Sequence, residues 1–120
     1  GSALTAFHLR DQAGGALWAG GSFRSAAGVL RTFAANEVVF EPLRVWTSPG
    51  SRARYPVEWS VRTPAGRFTV RSLLDDQELD SRGSTGAIYW EGLSDLLDAG
   101  GKPVGRGYLE MTGYAQPLRL

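Results

Sequence analysis

From Tyr55 to Arg62 the chain alternates, with Tyr55, Val57, Trp59 and Val61 on one parity and Glu58, Ser60 and Arg62 on the other. A period of two is the signature of a strand with one buried and one wet face, and a helix, whose apolar stripe repeats every ~3.6 residues, cannot satisfy it. Thr63-Pro-Ala-Gly66 then reverses the chain with residues suited to a tight turn. Beyond it the pattern resumes, Phe68 and Val70 inward and Arg67, Thr69 and Arg71 outward. The centre of the chain is therefore a hairpin with one apolar face, and the flanking segments must supply something for that face to pack on.

Those segments are short runs rich in Val, Phe, Trp, Tyr and Thr, punctuated by sixteen glycines and six prolines, the spacing of an antiparallel sandwich or barrel. Leu4 to Arg10 and Ala16 to Arg24 flank Asp11-Gln-Ala-Gly-Gly15 and predict a first hairpin. Val29 to Phe33, Glu37 to Phe40 and Arg44 to Thr47 predict three shorter edge or bulged strands, interrupted around Asn36 and at Pro42, which has no N–H for a ladder. Pro49 to Arg54 reads as an exposed loop. Leu74 to Arg82, with four carboxylates and few apolar residues, reads as a loop with room for one helical turn. A last hairpin joins Ala87 to Leu93 with Val104 to Thr112 across Asp98-Ala-Gly-Gly101, and Leu93 to Asp98 is the one stretch where a short helix competes with strand. Long helical periodicity, internal repeats, low-complexity tracts and linkers are absent from the sequence.

At 120 residues the expectation is one domain over residues 3–120, with Gly1 and Ser2 either a cloning remnant or native. Folding at this size buries roughly two-thirds of the unfolded surface, so no staple is needed. No cysteine is present, which excludes a disulfide or thiolate-metal framework. Thirteen basic and twelve acidic side chains are interspersed, so there is no field to attract nucleic acid or anionic lipid. No run approaches the ~20 apolar residues of a membrane helix, and the first residues lack the basic-then-apolar pattern of a signal peptide. The chain is expected to be soluble and not to insert into membranes.

Three segments taken together, Leu74-Asp-Asp-Gln-Glu-Leu-Asp-Ser-Arg82, Tyr89-Trp-Glu-Gly92 and Gly105-Arg-Gly-Tyr-Leu-Glu-Met-Thr-Gly-Tyr114, resemble the C-terminal half of the carotenoid 1,2-hydratase (hydroxyneurosporene synthase) family and its predicted secreted hydrolase relatives. Leu17-Trp-Ala-Gly-Gly21, Trp46-Thr-Ser-Pro49 and Tyr55-Pro-Val-Glu-Trp59 follow the same order, so the resemblance covers nearly the whole chain. It implies an all-β, antiparallel, lipocalin-like (calycin-type) barrel or strongly bent sheet of about eight or nine short strands, the second of two such lobes in a longer protein. It also implies a bacterial periplasmic or cell-envelope setting. The family's His-x-Trp motif, linked to catalysis, is expected upstream; here the one histidine, His8, is followed by Leu9 and Arg10.

Hydrating an alkene needs an acid to protonate carbon, a held water, and aromatic faces to stabilise the cation. Glu91, between Trp90 and Gly92, and Glu110, between Leu109 and Met111, are the candidate catalytic carboxyls. Alternation puts Tyr89 with Glu91 and Tyr108 with Glu110 on common strand faces. Such a face is either a polar spot on a cavity wall or a solvated surface meeting Arg82 or Arg106. Trp59, Tyr89, Trp90 and Tyr108 are the candidate ligand-binding residues; core filling is the other reading of the aromatic set. Asp75, Asp76, Glu78 and Asp80 lack the glycine and closing glutamate of a calcium loop and read as a solvated, capped turn. His8, without a second ligand, reads as surface or satisfied core. No metal or cofactor is expected, and no phosphate loop or nucleophile elbow is present in the sequence.

The leading expectation is a lipocalin-like lobe that binds or helps to enclose a hydrophobic small molecule, isoprenoid, carotenoid-like or lipid, without catalysing alone. The alternatives are a self-sufficient hydratase using Glu91, Glu110 and Trp90, and a structural, oligomerising β-domain. The expected partners are the missing N-terminal lobe or a second copy in a homodimer, with no nucleic acid.

Overall fold

A computed structural model describes residues 1–10, 16–84 and 87–115, with residues 10 and 16–18 described by their backbone alone. The turn expected at residues 11–15 and the side chain of Trp18 lie outside the described residues. Among those described, strands run in the order β1 (Ala3–Arg10), β2 (Ala16–Arg24), β3 (Leu30–Phe33), β4 (Val39–Thr47), β5 (Arg54–Thr63), β6 (Gly66–Ser72), β7 (Glu78–Ser81), β8 (Ala87–Leu97) and β9 (Pro103–Thr112). A single 3-10 turn, Ala35–Glu37, joins β3 to β4.

β1, β2 and β3 form one antiparallel sheet. The larger sheet runs from β4 through β5 and β6 to β8, which carries β6 and β7 along one edge and β9 along the other. All pairings are antiparallel, and the two sheets bend toward each other without closing into a barrel. Among the described residues β1 and β9 each keep one edge unpaired. The all-β, strongly bent, lipocalin-like architecture agrees with the sequence expectation.

The central hairpin forms in the expected register, Val61 opposite Phe68 and Trp59 opposite Val70. Thr63 Oγ1 holds the turn by accepting from the Ala65 N–H and donating to the Gly66 carbonyl, and Gly66 takes a φ of 142° that other residues rarely adopt. Tyr55, Val57, Trp59 and Val61 are buried and, with Phe33, Val38, Ala53, Trp90 and Met111, make the core. Phe68 and Val70 are only half-buried, because they border open space between the sheets. Ser60 is also buried, although it lies on the outward parity: β5 is a central strand, and Glu41 and Thr69 stand directly opposite on either side.

Three expectations are corrected. Glu37 to Phe40 and Arg44 to Thr47 are not separate runs but belong largely to β4; Leu43 on β4 and Val57 on β5 are each skipped by the pairing, so Pro42 falls where the ladder is already bulged. Pro49, Gly50, Arg52 and Arg54 are exposed as expected, while Ala53 between the arginines is buried and its carbonyl accepts from the Ser48 N–H at 2.9 Å. Leu74 to Arg82 contains β7 where a loop with one helical turn was expected. No helix forms at Leu93 to Asp98, because residues 94–97 are captured by β6.

Trp90 is fully buried, and its indole N–H donates to the Asp75 carbonyl at 2.7 Å. Gly92 makes room for this arrangement: a Cβ there would lie 2.8 Å from the Trp90 ring and collide with the Gln77 side chain. Trp90→Ala is expected to cost about 3–5 kcal/mol, most of the margin of a small domain, whereas Phe68→Ala, at the edge of open space, is expected to cost less than half as much. Urea denaturation of both variants checks the order, and equal losses would contradict the packing described.

Candidate functional site

Bending two sheets toward each other without closing them leaves a cavity of about 1430 Å³ between them. Its wall takes side chains from both sheets, among them Leu4, Ala6 and His8 of β1, Phe40 of β4 and Trp59 of β5. The unpaired edges of β1 and β9 both border it. The wall is mainly aliphatic and aromatic, with Ser94, Asp95, Asp98, Arg106 and Glu110 among its polar residues.

Where the sheets approach, three rings meet edge to face. His8 lies 4.6 Å from Phe40 and 5.8 Å from Trp59 between ring centroids, and Phe40 lies 6.0 Å from Trp59. These are favourable aromatic geometries. Strand parity explains the meeting, since His8 shares the inward face of β1 with Leu4 and Ala6 and stands opposite buried Ala19. Trp59 is 5% exposed, yet its indole Nε1 has no hydrogen-bond partner among the described residues. A buried donor without an acceptor costs ~1–3 kcal/mol, so a native fold seldom keeps one without a reason.

A second polar cluster holds the opposite end of β5. Glu78, the first residue of β7, accepts from Ser48 Oγ at 2.6 Å, Ser51 Oγ at 2.5 Å and the Tyr55 hydroxyl at 2.6 Å. Burial pushes the Glu78 carboxyl upward, but the three hydroxyl bonds together outweigh it and hold the group below the usual glutamate range. Burial first, and then the bond to Glu78, drive the Tyr55 phenol well above its ordinary value. Ser48 Oγ also accepts from the Gly50 and Ser51 N–H groups, so Glu78 clamps the β4–β5 turn onto β7. Nearby, Asp75 takes a two-pronged bond from Arg44, at 2.5 and 3.1 Å, and another from Ser72 at 2.7 Å. The Arg44 guanidinium, helped by Ser72, holds the Asp75 carboxyl below the usual aspartate range.

The four carboxylates of this segment therefore do not gather. Asp75 turns to Arg44, Glu78 to hydroxyls and Asp80 to Arg82. Among the described residues no three histidine or carboxylate groups converge in a way that could hold a metal ion.

Of the residues singled out from sequence, Trp59 lines the cavity and Trp90 does not; Trp90 is sealed in the core with its N–H already satisfied. Glu91 and Glu110 stand directly opposite each other across β8 and β9. They share the outward parity with Tyr89 and Tyr108, since the neighbouring Trp90 and Met111 point into the core. Tyr108 is 77% exposed. Tyr108 and Glu110 border the cavity at the open β9 edge, while Tyr89 and Glu91, one strand further in, do not line it. Neither Arg82 nor Arg106 pairs with these glutamates, being engaged by Asp80 and Asp95. His8 and Phe40 were not selected from sequence, and their meeting depends on β1 folding over Phe40 and Trp59, a contact between distant segments that spacing does not encode.

Residues 1–114 match the AttH-like family. A crystal structure of an AttH protein from Nitrosomonas europaea is 46% identical, with a TM-score of 0.90 over 95% of this chain and 35% of that one. Kievitone hydratase from Nectria haematococca, at 23% identity, shares the fold with a TM-score of 0.67 over 96% of this chain and 36% of its own. The chain thus spans about a third of the length of these solved relatives. No functionally curated protein matches it.

Glu78→Gln is expected to lower stability by about 1–3 kcal/mol, because three donors lose their charged acceptor. In the unsubstituted chain a depressed carboxyl pKa adds stability that is fully present above the ordinary glutamate range and is lost as pH falls through the lower value of the folded state. Urea midpoints from about pH 7 down to about pH 3 should therefore converge for the two proteins on acidification. A gap independent of pH would rule out the ionised clamp.

Proposed function

We propose, from the premise that the chain belongs to the AttH-like family, that it is the C-terminal lipocalin-like lobe of a hydratase-type protein and encloses an apolar small molecule between its sheets, without a catalytic acid of its own. The cavity carries this reading. At about 1430 Å³ it exceeds the ~300–1,000 Å³ of ordinary ligand pockets, and its aliphatic and aromatic wall suits an isoprenoid, carotenoid-like or lipid chain. Lipocalin-type barrels commonly hold one such molecule. A self-sufficient hydratase built on Glu91, Glu110 and Trp90 draws no support from the geometry, because Trp90 points to the opposite sheet face from both carboxylates.

The lobe reading is supported by the third of relatives' length that the chain spans and by the two unpaired edges beside the cavity. A partner lobe laid against β1 and β9 would complete the ladder and cover the half-exposed Phe7, Leu9 and Val104. In the chain alone a second copy takes that place, giving a two-fold dimer.

A long acyclic isoprenoid hydrocarbon is expected to bind saturably and quench tryptophan fluorescence, with no hydrated product. Ala6→Phe, which fills the cavity from β1, should weaken binding about tenfold. Absent binding, or binding indifferent to Ala6→Phe, would remove the cavity reading. Sedimentation at tens of micromolar tests the edges separately: an interface near ~1,600 Å² should hold a dimer there, and a clean monomer would count against them as partner surfaces.

A further inference from the structure

We infer that the molecule held in the cavity is an extended apolar chain that leaves it across β9, over the bare backbone at Gly105 and Gly107, and that these two glycines set the length of chain accepted; the inference rests on the cavity being a ligand site.

Strand pairing lays a continuous floor toward that edge. Trp59 stands opposite Val70, Val70 opposite Leu96 and Leu96 opposite Gly105, and all four line the cavity. Along this row exposure rises, from 5% at Trp59 through half-buried Val70 and Leu96 to exposed Gly105. With strands ~4.8 Å apart, the three steps cover roughly 14 Å. A short hydrocarbon fits along that floor, whereas a longer one must pass the β9 edge.

At that edge the inward side chains stop. Alternation puts Gly105 and Gly107 on the same side of β9 as Leu109, which packs against the core, and Met111, which belongs to it. A Cβ at Gly105 would lie 3.9 Å from the Leu96 side chain, itself part of the cavity wall, so that side is the cavity side. At Gly107 a Cβ would have no heavy atom of the described residues within 4 Å beyond its own chain neighbours.

Neither of the usual structural reasons for glycine holds here. Gly66 and Gly101 take φ values of 142° and 83°, and a Cβ at Gly21 or Gly92 would collide with the Thr5 backbone or with Gln77. Gly105 and Gly107 have neither a left-handed backbone nor a crowding neighbour. Glycine inside a strand weakens it and often marks where a ligand approaches the backbone. The space it leaves on β9 is bordered by Leu96 and Leu109, which suits a hydrocarbon.

The test measures displacement of Nile red, a neutral apolar dye, by squalene and by the shorter isoprenoid hydrocarbon myrcene. The proteins are the unsubstituted chain, Gly105→Leu and Gly107→Leu. Each variant should weaken squalene about tenfold and change myrcene less than about twofold. The ratio of the two affinities within each protein cancels any change in dye binding. Urea midpoints should stay level or rise, because the new side chain enters open space on a strand that glycine weakens. Equal loss for both hydrocarbons, no loss for either, or a lowered urea midpoint would overturn this inference and leave the cavity reading standing. No binding of dye or hydrocarbon to the unsubstituted chain would overturn the two together.

Discussion

The inward row of β5 is the element to which the other parts of the molecule attach. Tyr55 and Val57 are wholly buried and Trp59 and Val61 nearly so, and each makes a different connection. Tyr55 reaches Glu78 and so fixes β7, stacks on Trp46 of β4 and touches Tyr114 beyond β9. Trp59 meets Phe40 of its own sheet and His8 of the other. A one-residue slip of β5 would exchange this row for Glu58, Ser60 and Arg62 and undo the core, the clamp and the cavity wall together, which is why the register is so strongly specified. The skipped Leu43 and Val57 allow β4 to keep that register despite Pro42.

The two ends of the row differ in how firmly they are packed. Around Tyr55 the polar atoms are matched, the turn after Ser48 is laced by its own hydroxyl, and Trp90 fills the space behind. Beyond the contact of Trp59 with His8 the sheets part, Phe68 and Val70 are half-exposed to the opening, and a donor is left over. Binding surfaces are commonly drawn from the less stable regions of a fold, with rigid structure elsewhere sustaining them. The separation along one strand makes a loosely packed cavity tolerable in a chain of only 120 residues.

What was legible in the sequence was whatever a local period or turn could encode. The alternation at Tyr55–Val61, the Thr63–Gly66 reversal and the Asp98–Gly101 turn all form. β7 was not legible, because four carboxylates in a short run look solvated, and the three hydroxyls that donate to Glu78 lie at positions 48, 51 and 55 with no sequence relation to it. The pairing of Tyr89 with Glu91 and of Tyr108 with Glu110 on common strand faces followed from alternation; which face was inward did not. That was decided by Trp90 and Met111 entering the core. The part of His8 was hidden for a similar reason, since a solitary histidine acquires meaning from the rings that the opposite sheet brings to it.

The placement of Glu91 and Glu110 bears on how the cavity and the outer surface divide their tasks. Like charges directly opposite across two strands repel, and such a pair is tolerable where water screens it. Exposed Glu110 and the strongly exposed Tyr108 are consistent with that screening. The side of β8 that faces the core belongs to Trp90 and that of β9 to Met111. There Trp59 meets Phe40 and His8 edge to face, three rings brought together by both sheets. Trp90 and Met111, by entering the core, fix both carboxylates on the outer side of β8 and β9.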